Sequence, residues 1–511
     1  MASTSHEVTI GLDCGTGGAR AMVCDLKGRV IATATSPYDT LYPKPGWATQ
    51  KPADWWDASC KAVREAMRAG RIAAEQVVAI CADGTSSTLV MLDDEEKPIG
   101  DAILWMDNRA SAQARKIEAS GHPALRRSRA GVSAETAIPK ILWLKETAPE
   151  IFASTRWFVE LADFIALRLS GELTLGLNQT INRWFHDPRR GGWPEDFFAT
   201  VGLEDITKRF PMDMPALGAL IGPLCAQAAS DMGLTTRTKV VAGGTDAYVA
   251  TVGLNTLSPG QTALITGTSH LVLPTIATDT EITGLFGPHP DCVAPGRFVM
   301  EGGQVSSGAV LRWWHEILAG AGQDGIDKTL DAAQCVPLGA HGLVALDFWQ
   351  GNRNPYTDYE LQGALWGMTL KHGRADITRA LMESVCLGTA NILRCMSEQG
   401  LPVASMTVAG AALRSRFWLQ MHADTAGVTL QVPEVGEATV YGAAISASVG
   451  AGAYASLDDA AGAMVRIREE IAPDAERHAQ YVELLDFYLE THAALKPLMH
   501  RMAQRNRSAA A

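Results

Sequence analysis

The sequence lacks the motifs by which most phosphate-handling proteins are recognised. No Gly-Lys dipeptide occurs in its 511 residues, so it has no GxxxxGK(S/T) phosphate loop. No strand-like segment ends in GxGxxG, and there is neither an HExxH helix nor a GxSxG elbow. None of the nine cysteines forms a CxxC pair. An odd, scattered set reads as reduced thiols, mostly core filler, and predicts a cytoplasmic protein. No apolar run reaches the roughly 18 residues of a membrane span, and Met1–Glu7 has no signal-peptide character. Basic residues are the minority, 44 against 56 acidic, for a formal net charge of −12. That balance argues against nucleic acid or an anionic membrane as partner. It leaves room for a nucleotide, because backbone amides can hold phosphate inside an acidic protein.

What is present is an ordinary packed composition, 47% apolar and 20% charged, in a chain long enough for two to four domains. The chain opens as an antiparallel meander: Val8 to Asp13, Arg20 to Cys24 and Arg29 to Ser36, with the glycine-rich turn Cys14-Gly15-Thr16-Gly17-Gly18 after the first strand. A helix over 52–69 and a buried strand over 77–82 follow. Residues 135–172 read as helical. Residues 174–230 are mixed, and fit an insertion or cap lining a cleft. Near 239 the opening pattern returns. Val240 to Ala242 runs into Gly243-Gly244-Thr245-Asp246 and a helix, and Thr262 to Thr266 into Gly267-Thr268-Ser269. A helix over 375–399, a strand over 406–409 and a last helix from about 439 complete the pattern. The tail from Arg501 to Ala511 is expected to be disordered. The chain therefore reads as two similar halves facing each other across a cleft. The expected division is 1–250, 251–490 and a tail at 491–511.

Several of these turns have the parts of a phosphate cradle. Glycines let consecutive N–H groups point into one concavity, Thr16 adds a hydroxyl, Arg20 a charge, and Asp13 a carboxylate suited to Mg²⁺ through water. A plain tight hairpin explains the same glycines. Gly267-Thr268-Ser269 and Gly410-Ala411-Ala412 repeat the arrangement. Asp246 stands where a strand yields to a helix; there a carboxylate can accept a proton from a substrate hydroxyl or simply cap the helix. Planar and aromatic groups for a sugar occur at Trp47 and Gln50, Thr85 to Thr88, Trp105-Met106-Asp107-Asn108-Arg109 and Glu301-Gly302-Gly303-Gln304. Trp55, Trp56, Trp313 and Trp314 are expected in the core.

The ordered set Ile10-Gly11-Leu12-Asp13-Cys14-Gly15-Thr16, Gly46-Trp47, Trp105 to Arg109, Gly243 to Asp246, Gly267-Thr268, Gly351-Asn352-Arg353-Asn354-Pro355 and Glu437 to Ala444 resembles the FGGY family of carbohydrate kinases over about 480 residues. The resemblance implies an α/β fold of two actin-like (ribonuclease H-like) ATPase domains, with ATP and sugar in the cleft between them. It implies Asp246 as catalytic base and Asp13 as the metal-associated carboxylate. It implies Thr16, Gly17 and Arg20 as the first phosphate loop, and Gly267 and Thr268 as the second. Gly308 and Arg312 would approach phosphate or ribose, and Gly410, Ala411 and Ser415 would form the adenine turn. Thr85, Ser86, Trp105, Asp107, Asp246 and Gln304 are the expected sugar contacts, and ATP with Mg²⁺ the expected cofactors.

One departure is that Gly410-Ala411-Ala412 carries methyl groups where family members often have glycine. That narrows the room beside the nucleotide and puts purine selectivity in question. The stretch Asp83 to Thr88 lacks the Arg-Glu pair of glycerol kinases and the Gln-Met-His of xylulokinases, and looks most like ribulokinases. Ribulose is the first expectation, with xylulose, ribitol, erythritol and erythrulose open. An actin-like ATPase chaperone or scaffold is the alternative of another class. A homodimer is compatible with a sequence that does not fix the oligomeric state.

Overall fold

The computed structural model describes residues 7–128, 131–319 and 326–510; nearly all of the N-terminal segment read above lies outside them. Two sheets organise the chain. In the first, Val30–Pro37, β2 (Gly18–Asp25), β1 (Val8–Gly15), β3 (Val77–Gly84), β4 (Lys239–Val241) and Leu220–Pro223 lie side by side. In the second, the order is Phe286–Pro290, Phe298–Gln304, β6 (His270–Ile276), β5 (Thr262–Thr266), β7 (Ser405–Gly410), Thr429–Pro433 and Ile467–Ile471. The two share a wiring. β1 pairs antiparallel with β2 and parallel with β3, just as β5 pairs antiparallel with β6 and parallel with β7. β1 is covered on both faces, so every residue from Val8 to Leu12 is buried although Thr9 is polar; its hydroxyl donates to the Ala444 carbonyl at 3.0 Å.

Each half has its own apolar core, and a third cluster joins them. The joint is made by α1 (Asp246–Gly253) and α2 (Ala438–Ala451). By sequence α2 belongs to the second half, yet it packs on β1 and β3 of the first sheet. Its small residues permit this. A Cβ on Gly442 would stand 2.1 Å from the Val249 carbonyl oxygen, so no other residue lets the two helices approach so closely.

Three expectations need correction. Residues 135–172 are not all helical: the strand Trp157–Glu160 separates two helices from a third and pairs with Leu89–Leu92. The last helix reaches into the segment expected as a tail: α3 runs Ala475–Ala510, and its apolar face as far as Met499 lies on the second core. Trp55 and Trp56 are core residues, but Trp313 is half-exposed and stacks only on Trp314 and Trp349. No helix among the described residues is long and apolar enough to cross a membrane.

Candidate active site

The C-terminal ends of three neighbouring strands build the floor of the cleft. Parallel pairing of β1 with β3 sets Asp13 beside Asp83, and a bridge from Gly84 to Thr245 brings in the turn after β4. Thr245 is fixed from outside, since its N–H donates to Asn178 Oδ1 at 2.9 Å. Asp246 then opens α1. It is the first helical residue and not the cap, and its Oδ1 accepts from the Ala247 N–H at 2.8 Å.

Burial dominates the electrostatics here. It raises the Asp246 carboxyl, with help from the charge of Asp13, to about 7; the Ala247 N–H and Arg183 pull the other way. Asp13 is raised by burial and lowered by Arg20, its cross-strand neighbour. Asp83 is raised further, by burial and by both other carboxylates, and neither of its oxygens meets a donor. No group of three His, Cys, Asp or Glu side chains is arranged to hold a metal among the described residues. Asp83, buried and without a donor from elsewhere in the protein, together with Asp13 beside it, suits a magnesium ion, which keeps several waters and takes other ligands from nucleotide phosphates.

Above the floor lies a cavity of about 430 Å³. Asp246, Thr85, Ser86 and Trp105 line it. Residues 181–194, inside the mixed segment, supply one wall. Sequence reasoning missed Arg183, whose Nε donates to Ser86 Oγ at 2.9 Å and whose Nη2 donates to Glu301 Oε2 at 2.7 Å. Tyr248, on α1, donates to the same Glu301 oxygen at 3.0 Å. Burial would raise Glu301, but Arg183 and Arg353 outweigh it and hold the carboxyl at about 2. Lys140 was also missed. It is fully buried and donates to the carbonyls of Ser87 (2.7 Å) and Leu104 (2.8 Å), tying together the two loops that carry Ser86 and Trp105. Nothing in the local sequence marks either residue, because their partners lie far along the chain.

Two expected sugar contacts fall elsewhere. Asp107 is wholly buried, with both oxygens held by Arg109 and one also by the Ala48 N–H. Gln304 is buried in the second half, donating to Asp347 and the Val385 carbonyl and accepting from Thr389. Neither lines the cavity. Trp47 is occupied as well, packed between Arg109 and Trp143.

None of the phosphate-turn candidates lines this cavity, though two adjoin residues that do. Thr16 Oγ1 accepts from the Trp105 indole at 3.0 Å, Gln50 holds the Thr16 carbonyl, and Gly17 faces open space. Across the cleft Ser269 lines the cavity, next to Gly267 and Thr268. The carbonyls of that pair accept from the N–H groups of Gly308 and Ser307, docking the Gly308–Ala319 helix on the turn. Arg312 stands exposed on that helix. Gly410 adopts φ +91°, and a Cβ there would lie 1.9 Å from the Thr266 carbonyl oxygen. Ala411 opens the short turn that follows, and Ser415 caps the Arg416–Ala426 helix by accepting from the Trp418 N–H. Its hydroxyl is thus engaged by the protein itself.

Two sheets of the same wiring, joined by α1 and α2, make a two-domain actin-like fold. Residues 8–253 match the N-terminal domain of the FGGY family of carbohydrate kinases and residues 262–451 its C-terminal domain, and the chain belongs to that family. It is therefore a phosphotransferase acting on a small sugar. Among similar proteins, a xylulose kinase of Bacillus subtilis is 27% identical over 96% of this chain and 97% of its own. A ribulokinase of Halalkalibacterium halodurans is 28% identical over 96% of this chain and 98% of its own. The crystal structure of a xylulose kinase from Rhodospirillum rubrum, 27% identical, superposes with a TM-score of 0.85 over 97% of this chain and all of that one.

Proposed function

We propose that the chain transfers the γ-phosphoryl group of ATP to a terminal hydroxyl of a pentulose, with ribulose the preferred acceptor and ribulose 5-phosphate the product. The observation that carries this reading is Asp246, a half-buried carboxylate at the head of α1 that lines a sugar-sized cavity and is raised to about 7. A general base with a pKa near the working pH combines the right protonation state with the largest driving force. Ribulose over xylulose rests on the Thr85–Ser86 wall with Arg183 behind it; the relatives include kinases named for both sugars.

In the reaction Asp246 takes the hydroxyl proton as the oxygen attacks phosphorus, and the bond from phosphorus to the ADP oxygen breaks in line. Mg²⁺, near Asp13 and Asp83, supplies charge neutralisation of the phosphates when bound. The turns at Thr16–Gly17, Gly267–Thr268 and Gly410–Ala411 offer N–H groups to the nucleotide, and Arg20 adds positive charge. Ser86, Arg183 and Glu301 orient the sugar. Because the transition state is loose, positioning and electrostatics supply most of the acceleration. In this reading residues 1–250 carry the sugar and the base, and residues 251–490 the nucleotide.

A coupled ADP-release assay over D- and L-ribulose, D- and L-xylulose, ribitol, erythritol, erythrulose and glycerol tests it. Highest kcat/KM on a ribulose is expected. Preference for xylulose would move the assignment within the pentuloses. ATP hydrolysis indifferent to every sugar would overturn it in favour of an actin-like ATPase.

A further inference from the structure

The strand Phe286–Pro290, at the edge of the second sheet, carries a residue that the reaction as described does not use. Its pairing with Phe298–Gln304 slips. Phe286 lies opposite Glu301 and His289 opposite Val299, three steps along one strand against two along the other. Gly287, at φ +100°, lies in the slip. Simple alternation would turn Phe286 and His289 to opposite faces. The bulge puts them on one face, that of Glu301, and all three line the cavity.

His289 is only 3% exposed, and neither of its ring nitrogens has a hydrogen-bond partner in the protein. Burial, with the charge of Arg183, pushes its pKa down to about 3. The ring is therefore neutral at working pH, with one N–H to give and one bare nitrogen to receive. A buried polar group without a partner is a standing cost. Packing does not account for it. The ring meets Tyr248 edge-on, with centroids 6.1 Å apart, a contact that an apolar side chain makes as well. His270 and His422 are orphaned too, but they face each other at 5.3 Å and do not line this cavity. Around His289 stands the sugar-facing cluster. Tyr248, two residues after Asp246 on α1, donates to the Glu301 oxygen that also takes Arg183. A hydroxyl fits a neutral ring in such a place, since it can accept from the N–H or donate to the bare nitrogen. We propose that His289 is a specificity-determining residue that hydrogen-bonds one hydroxyl of the sugar, adding a contact from the second half of the chain to those of residues 1–250. The inference rests on the reading of this cavity as the sugar site.

Kinetics of His289→Leu and His289→Met, two apolar replacements of different shape, test it on whichever acceptor of the sugar panel the unaltered chain prefers. In both, kcat/KM for that sugar should fall about tenfold, the usual worth of one hydrogen bond between uncharged groups, with the ATP KM unchanged. Among monodeoxy analogues that keep the terminal hydroxyl, the unaltered chain should discriminate against one by a like factor. Both variants should handle that analogue and its parent sugar alike. The melting temperature without sugar should hold or rise, because an apolar side chain replaces an unpaired polar one, while the rise on adding sugar should shrink. An undiminished kcat/KM, or an equal loss on the parent sugar and on every deoxy analogue, would overturn the role of His289. The comparison uses the preferred acceptor whichever it is, so a wrong sugar in the functional reading and a wrong role for His289 give different results.

Discussion

Arg183 Nη2 donates to Glu301 Oε2 over 2.7 Å, although the two residues are 118 positions apart and come from opposite halves of the chain. Through Nε the same guanidinium holds Ser86, and through Glu301 it meets Tyr248 on α1. One arginine therefore ties a sugar-facing wall to both halves of the molecule.

Arg183→Met is expected to lower kcat/KM for the sugar about 100-fold, the usual cost of misplacing reacting groups by an ångström. Leaving Glu301 buried without its main partner should cost about 3–5 kcal/mol of stability. Adding Glu301→Gln should recover most of the melting temperature and little of the activity. Full activity in Arg183→Met would remove this residue from the site.

Asp246→Asn should lower kcat by roughly 10²–10⁴-fold. For the unaltered chain, kcat/KM should rise with pH through about 7 as Asp246 loses its proton, and this limb should vanish in the variant. The stability effect has the opposite sense. A carboxyl raised in the folded state works against folding above about 7, and the penalty fades as pH falls through that value. The asparagine variant should therefore melt higher than its parent at pH 8 and lose that advantage near pH 4. Melting curves across that range check this.

Lys140→Met removes two hydrogen bonds that tie Ser87 to Leu104. The sugar KM should rise about tenfold, equivalent to roughly 1.4 kcal/mol, with the ATP KM unchanged. An equal rise in both constants would mean general loosening.

Gly410→Ala forces a methyl group against the Thr266 carbonyl at a left-handed φ. Strain of about 1–3 kcal/mol should lower the melting temperature and raise the ATP KM more than the sugar KM. A normal ATP KM in a folded variant would separate this turn from the nucleotide.

The strand ends were legible because the chain itself marks them. Asp13 and Asp246 each close a buried apolar run at a glycine turn, and the structure sets both turns on one floor. Residues whose roles depend on distant partners were not legible. Gln304 looked available, but Asp347 and the Val385 carbonyl, 43 and 81 positions away, consume its amide. Asp107 is a different case, since Arg109, only two residues on, claims both its oxygens. The Trp157–Glu160 strand was hidden by helices on both sides, since its pairing with Leu89–Leu92 leaves no local mark. The final helix carries past Arg501, and buried Met499 just ahead of it packs on the second core.

The seam between α1 and α2 sets how far the base can travel. Asp246 opens a helix of eight residues whose middle, at Val249, sits backbone against backbone on Gly442. If the halves rock, that seam is the fulcrum, and a group one helical turn from a fulcrum has a short lever arm. The turns at Gly267 and Gly410 end strands of the second sheet and would move with it. On the proposed roles, such rocking would leave Asp246 aimed at the sugar while the nucleotide is carried toward it. Substitutions along the seam should disturb the timing of closure before they disturb the aim of the base.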